Sequence, residues 1–355
     1  MIDIFGTLGP SCNDEQTLTD MFRAGMTGVR LNLSHAMLHD NLELLNTVKK
    51  AASSVNIEPK LLIDLQGPEL RIGDLDKPLQ LKDGNEISVI PNDGFLSIVE
   101  TSEKTEDCNT FNESRITVDQ RVIEKMEDGD SILLDDGKIL GIVSNKTNLS
   151  AKIIIKRGGI LTGRKSILIE NKTVMMPTLT IDDLTNLSVA AKHGITGVML
   201  PFVRNSEDLR TLRATLDEAG GKDIEIYAKV ENLDGVRMLP ELIGECDEIV
   251  IARGDLGNAV PLWELPALQK RISRTCREQN KRFMVVTQML SSMEHNPVPT
   301  RAEVSDIYNA AFDGATSVMV TGETAIGEFP VGVIQYLSNT VHEYEKNKEK
   351  NKELF

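Results

Sequence analysis

Residues 226–257 read IYAKVENLDGVRMLPELIGECDEIVIARGDLG and contain the residue types that phosphoryl chemistry needs. Two short apolar strands each run into a charged cluster. The first ends in Lys229 and Glu231, the second in Arg253, Gly254 and Asp255. Strand side chains alternate with period two, so Lys229 and Glu231 point the same way from one strand end. A cation beside two carboxylates that can share a divalent metal neutralises the oxygens of a phosphoryl group in flight. A glycine at the same place lets the backbone approach an anion closely. Either segment alone reads equally as a strand-end ion pair followed by a turn, since paired charges are often structural.

The elements that must position these residues follow from the apolar pattern. Eight runs have strand length: Ile2–Thr7, Val29–Leu33, Lys60–Asp64, Gly197–Pro201, Ile224–Lys229, Glu248–Ala252, Arg282–Val286 and Ser317–Val320. Helical patterns lie between most of them. Leu18, Met21 and Phe22 fit one helix, Leu42, Leu45 and Val48 another, and Leu209, Leu212 and Leu216 show the spacing of a buried stripe. Strand–helix alternation eight times over predicts an α/β fold, a (β/α)8 TIM barrel. Strands buried on both faces account for continuous runs such as EIVIA. More than a hundred residues separate the third run from the fourth, which predicts an inserted small β-barrel domain after strand three. Its turn signals are Lys82-Asp83-Gly84, Asn92-Asp93-Gly94, Asp128-Gly129-Asp130 and Asp136-Gly137. The expected organisation is a barrel of residues 1–72 and 161–345, a β-rich domain of 73–160 placed to act as a lid, and a charged tail of 346–355.

Composition excludes several classes. A net charge of -15 argues against a nucleic-acid partner, and an anionic substrate would then need local cations. The four cysteines are scattered without a Cys-x-x-Cys pair, which fits a reducing cytoplasm better than a disulfide or zinc framework. Neither a signal peptide nor a long apolar run is present, so no membrane association is expected.

In a barrel, functional residues follow the strands on one rim. Polar groups do follow seven of the eight runs: Thr7 to Ser11; Arg30, Asn32, Ser34 and His35; Asp64, Gly67, Glu69 and Arg71; Lys229 and Glu231; Arg253 to Asp255; Thr287 and Gln288; and Thr321 to Thr324. At these positions the chain resembles the pyruvate kinase family. The motifs are TLGPS (7–11), VRLNLSH (29–35), DLQGPELR (64–71), LDDGKI (134–139), FVR (202–204), AKVEN (228–232), IARGDLG (251–257), TQMLSSM (287–293), PTRAEVSD (299–306) and TGETAIGEFP (321–330), in the family's order.

The resemblance implies the glycolytic phosphoryl transfer from phosphoenolpyruvate to ADP, giving pyruvate and ATP. It implies that Lys229, Arg30 and Thr287 are catalytic, with Lys229 stabilising the moving group and Thr287 in a proton relay. Gly254, Asp255 and Thr287 would bind substrate. Glu231 and Asp255 would hold Mg2+ or Mn2+. Asn32, Ser34, Asp64 and the Leu65 carbonyl would hold K+, and His35, Arg71 and Lys165 would face the nucleotide. Glu69 stands where potassium-independent relatives carry lysine, so a potassium requirement is expected. The chain departs from the family pattern at Pro201, Ala259 and Val286. The family's C-terminal domain, expected after about residue 345, is not represented, and a homodimer at most is expected. A catalytically weak paralogue that binds ligand or regulates a partner, or an enzyme for another phosphoenolpyruvate-like substrate, is the alternative reading.

Overall fold

Eight parallel strands close on themselves in the computed structural model, which describes residues 1–34, 36–92, 114–135, 137–170, 172 and 174–350. They are β1 (Asp3–Thr7), β2 (Gly28–Asn32), β3 (Lys60–Asp64), β12 (Gly197–Leu200), β13 (Glu225–Val230), β14 (Glu248–Ala252), β15 (Arg282–Val286) and β16 (Ser317–Met319). Neighbours around the barrel run β1-β2-β3-β12-β13-β14-β15-β16 and back to β1. The main helices between them are α1 (Glu15–Arg23), α2 (Leu42–Ser54), α4 (Ile181–Ala190), α5 (Ser206–Glu218), α6 (Leu233–Leu242), α7 (Arg253–Asn258), α8 (Leu265–Glu278) and α9 (Arg301–Phe312). Two more follow β16: α10 (Gly322–Ala325) and α11 (Pro330–Lys350). Each expected strand is present to within a residue or two at its ends. The stripes at Leu18, Met21 and Phe22 and at Leu209, Leu212 and Leu216 are buried on α1 and α5. Residues 346–350 continue α11 as helix, and 351–355 lie outside the described residues.

The period of two sorts each strand into two buried faces. On β14, Ile249 and Ile251 pack with the helices, while Val250 and Ala252 join a separate core of Phe5, Leu62, Met199, Tyr227, Met284, Val286 and Met319 inside the barrel. Both faces are dry, so no strand needs to alternate with polar residues. The inner core is filled by large side chains standing over glycines. A Cβ on Gly28 would lie 2.4 Å from the Phe5 ring, and one on Gly197 would lie 2.6 Å from the Tyr227 ring. At the N-terminal ends of the strands the inner face closes with a polar network. Glu248, 2% exposed, accepts from Ser317 Oγ and from Thr316 Oγ1 at 3.0 Å, with Arg282 at 3.9 Å.

The chain divides into two compact units, Met1–Pro68 with the chain from Thr178 onward, and Glu69–Pro177. The junctions fall at 68/69 and 177/178, where the sequence suggested 72/73 and 160/161. Strand pairing explains the wider insertion. β10 (Gly159–Leu161) pairs with β4 (Leu79–Leu81), and β11 (Ile167–Ile169) pairs with β7 (Ser131–Leu134), so the returning chain is still building the inserted unit. The other elements among the described residues of that unit are β5 (Glu86–Pro91), β6 (Arg115–Val118), β8 (Ile139–Ser144), β9 (Ala151–Arg157) and the short helix α3 (Gln120–Lys125). Its six-stranded sheet, in the order β11-β7-β8-β9-β5-β6, wraps a core of its own. The turn expected at 92–94 and the one at Asp136 fall partly outside the described residues.

Asp183 fixes both places where the chain leaves and rejoins the barrel. Its buried carboxylate accepts the backbone N–H of Gln66 at 2.8 Å, of Gly67 at 3.0 Å and of Thr180 at 2.9 Å. The last contact belongs to the capping box that starts α4. Gly67 has a φ of +61°, and a Cβ there would lie 2.6 Å from Pro201. The turn after β3 therefore requires glycine on two counts.

Candidate active site

On β13, Ile226, Ala228 and Val230 belong to the helix-facing core, which leaves Tyr227, Lys229 and Glu231 on the inner face. The same parity on β2 turns Arg30 and Asn32 inward, because Val29, Leu31 and Leu33 pack outward. On β3 it turns Asp64 inward and Leu65 outward. The charged groups meet where these strands end. Lys229 Nζ lies 3.0 Å from Glu231 Oε1 and 3.2 Å from Asp64 Oδ2. Asp64 Oδ2 also accepts from Arg30 Nε at 2.8 Å and lies 2.7 Å from Arg30 Nη2. Arg30 Nη1 reaches Thr7 Oγ1 at 3.3 Å. Glu231 Oε2 accepts the backbone N–H of Phe202 at 2.8 Å. One chain of polar contacts thus crosses five adjacent strand ends, from Thr7 through Arg30, Asp64, Lys229 and Glu231 to Phe202.

Burial and pairing act oppositely on these groups. Burial alone would raise the Asp64 carboxyl, but Lys229 and Arg30 outweigh it and hold its pKa below the ordinary value. Burial alone would lower the Lys229 ammonium, but Asp64 and Glu231 outweigh it and hold its pKa above the ordinary value. Arg30 and Lys229 stand against the two carboxylates of Asp64 and Glu231, so these four charges balance. The residues alone do not offset a strongly anionic substrate, and bound cations would have to supply the balance. Two carboxylates suit a hard divalent ion that also takes phosphate and water oxygens. Among the described residues no group of three or more His, Cys, Asp or Glu side chains is arranged to hold a metal by itself. The second lone pair on each Glu231 oxygen leaves acceptor capacity beyond Lys229 and Phe202.

The other side of the rim is built on β14 and β15. α7 begins directly after Ala252 and carries Gly254 and Asp255 in its first turn. A Cβ on Gly254 would lie 3.2 Å from Thr287 Cγ2, so Thr287 packs directly on that glycine. Thr287 and Gln288 both have left-handed backbones, with φ of 75° and 55°. Arg253 does not join the charged cluster, contrary to the reading of the ARGD run as one polar group. Its guanidinium turns to the β15 turn and pairs with Asp306 at 2.6 Å.

The residues expected to hold K+ sit at the ends of β2 and β3. Asn32 lies opposite Asp64 in the strand register, and its Oδ1 accepts the N–H of Ser34 at 3.1 Å. Leu65 is buried, and its N–H bonds to the Met199 carbonyl at 3.1 Å. Among the nucleotide-side residues, Arg71 and Lys165 belong to the inserted unit. Arg71 pairs with Glu69 at 2.6 Å and bonds the Arg164 carbonyl at 2.7 Å. Lys165 pairs with Asp135 at 2.9 Å, and its carbonyl accepts the N–H of Ile72 at 2.9 Å. His35 lies outside the described residues. Sequence reasoning missed the Phe202 N–H, Asp183, Asp306 and Asp135. Only Asp306 and Asp135 carried a signal, as charges inside the PTRAEVSD and LDDGKI runs.

Residues 1–334 match the family model described as the barrel domain of pyruvate kinase. The chain belongs to the pyruvate kinase family. It is 32% identical over 344 residues to a pyruvate kinase of Chlamydia trachomatis serovar D, covering 97% of this chain and 68% of that protein. A pyruvate kinase of Clostridium perfringens is 32% identical over 346 residues, covering 97% and 70% respectively. One from Aeropyrum pernix is 33% identical over 338 residues, covering 95% and 69%. As a family member with this site the chain is of the phosphotransferase type, built on the same barrel. No described helix is long and apolar enough to cross a membrane.

Proposed function

We propose that this protein transfers the phosphoryl group of phosphoenolpyruvate to ADP. The bond from phosphorus to the enol oxygen breaks, and a bond forms from phosphorus to a terminal phosphate oxygen of ADP. The enolate then takes a proton at its methylene carbon, giving pyruvate. The observation that carries this reading is the buried Lys229 ammonium, fixed between Asp64 and Glu231 at a strand end and held in its charged form. A charge fixed before the reaction costs no reorganisation when the phosphoryl oxygens need it.

Arg30 supplies a second donor on the same side. The Gly254 and Asp255 backbone amides and the Thr287 hydroxyl orient the substrate carboxylate, and Thr287 takes part in delivering the proton. Glu231 and Asp255 would hold Mg2+ or Mn2+, and Asn32, Ser34, Asp64 and the Leu65 carbonyl would hold K+. When bound, these ions neutralise phosphate charge that the protein's own residues leave uncompensated. His35, Arg71 and Lys165 are assigned to the nucleotide, and the reaction to the cytoplasm. Support comes from the family membership and from the convergence of Arg30, Asp64, Lys229 and Glu231.

The test is pyruvate formation from phosphoenolpyruvate, ADP, Mg2+ and K+, followed by coupling to NADH oxidation through lactate dehydrogenase. Pyruvate should form only when both substrates and Mg2+ are present. Replacing K+ by tetramethylammonium should lower the rate about tenfold or more, because a bulky organic cation cannot take the oxygens of Asn32, Ser34, Asp64 and the Leu65 carbonyl as a hard cation does. No pyruvate from the complete mixture would overturn the reading. An undiminished rate in the organic cation would overturn the potassium assignment alone.

A further inference from the structure

Thr287 and Gln288 form a turn that their side chains do not favour. Two successive non-glycine residues have φ of 75° and 55°, and the first is β-branched. Such a turn persists only where its surroundings over-determine it. Here the surroundings are specific. The Arg253 guanidinium donates from Nη2 to the Thr287 carbonyl at 2.7 Å, and from Nε to the same carbonyl at 3.2 Å and to the Val286 carbonyl at 3.3 Å. Its Nη1 is held by Asp306 of α9 at 2.6 Å. Beyond the turn, the Leu290 N–H is bound at 3.1 Å by the buried carboxylate of Glu323. The turn is therefore clamped on both sides. The clamp sets Thr287 against Gly254, where a Cβ would lie 3.2 Å from the Thr287 methyl and crowd it.

We propose that Arg253, oriented by Asp306, is the positioning residue of this site: it holds the left-handed Thr287–Gln288 turn and thereby fixes the Thr287 side chain, with its methyl against Gly254. Arg253 does not touch substrate; it acts through the Thr287 carbonyl. Its planar fork reaches successive carbonyls at once, which the single ammonium of lysine does not reproduce. The proposal rests on the phosphotransferase reading for its effect on rate, but the turn geometry itself does not depend on that reading.

Arg253→Met should lower kcat by about a hundredfold, the scale of a group displaced by about 1 Å, with KM for ADP changed less than threefold. Asp306→Asn should show a smaller loss of the same kind. In a Thr287→Val background, Arg253→Met should cost less than a further threefold, because the group it positions is already gone. Gln288→Gly, which accepts the positive φ without strain, should restore at least tenfold of the rate that Arg253→Met loses. Losses that multiply in the double variant, or no rescue by Gln288→Gly, would overturn the proposal. If the wild-type protein forms no pyruvate, the functional reading fails and backbone geometry decides instead. A crystal structure of Arg253→Met should then show the 287–288 turn relaxed to negative φ, and an unchanged turn in a folded variant would overturn the positioning role.

Discussion

Replacing Lys229 by methionine removes a cation that two buried carboxylates share. A preorganised charge at a developing anion is commonly worth about 3–4 kcal/mol, so turnover should fall by roughly a thousandfold or more. The same change leaves Asp64 with Arg30 alone and Glu231 with a backbone N–H. The folded pKa of Asp64 should then rise from its lowered value. A carboxylate whose folded value lies below its unfolded one contributes stability above the unfolded value and loses it as pH falls through the folded value. Lys229→Met should therefore melt further below the wild type at pH 6 than at pH 3. Equal melting deficits at the two pH values, or a rate within tenfold of the wild type, would remove Lys229 from the role assigned to it. At this scale much was legible. The period of a strand is enough to set Lys229, Glu231, Arg30 and Asp64 on one face. What the residue letters do not write is a backbone partner: the Phe202 N–H at Glu231 and the Thr287 carbonyl at Arg253 belong to every residue type alike.

The strands close their inner face at one end with chemistry and at the other with a buried acid. Burial holds Glu248 above the ordinary carboxylate range, although Ser317, Arg282 and Thr316 partly offset it. Its ionised form thus costs stability that increases with pH above the unfolded value, near 4.3. Glu248→Gln keeps an acceptor for Ser317 and Thr316 and removes the buried charge. The melting temperature of the variant relative to the wild type should climb from pH 4.5 to pH 8. A difference that stays flat with pH would show that the Arg282 contact at 3.9 Å, with solvent, already compensates the charge. Strands and helices were readable because continuous apolar runs and three-then-four stripes are physical requirements of burial on two faces or one. The insertion's far boundary was not. β10 and β11 look like ordinary short apolar runs, and only their pairing with β4 and β7 assigns them to the inserted unit.

The two units have separate hydrophobic cores, one set around the barrel strands and one within Glu69–Pro177. Asp183 binds the N–H groups of Gln66 and Gly67 and also that of Thr180, so the outgoing and returning chains share an anchor inside the barrel unit. Replacing residues 69–177 by a short glycine–serine linker should leave a folded barrel. Circular dichroism should show helical content and one cooperative thermal transition. A molten or aggregated product would show that the barrel core does not stand alone. Sequence length implied an excursion of this kind, since a strand-to-strand connection of more than a hundred residues exceeds any single βα unit. The shared anchor was not readable, because one aspartate at a helix start resembles any other N-terminal cap.

The line of contacts from Thr7 to Phe202 has an evolutionary consequence. Each interior charge in it answers two neighbours, so exchanging one strands the next, and single substitutions there pass through a damaged intermediate. The opposite side of the rim is different: Thr287 and Gly254 meet by shape, and Arg253 grips main-chain carbonyls whose identity no mutation changes. A substitution on the β14–β15 side is therefore felt through the turn it holds and strands no charge in the line, so the two sides of the rim answer to change independently.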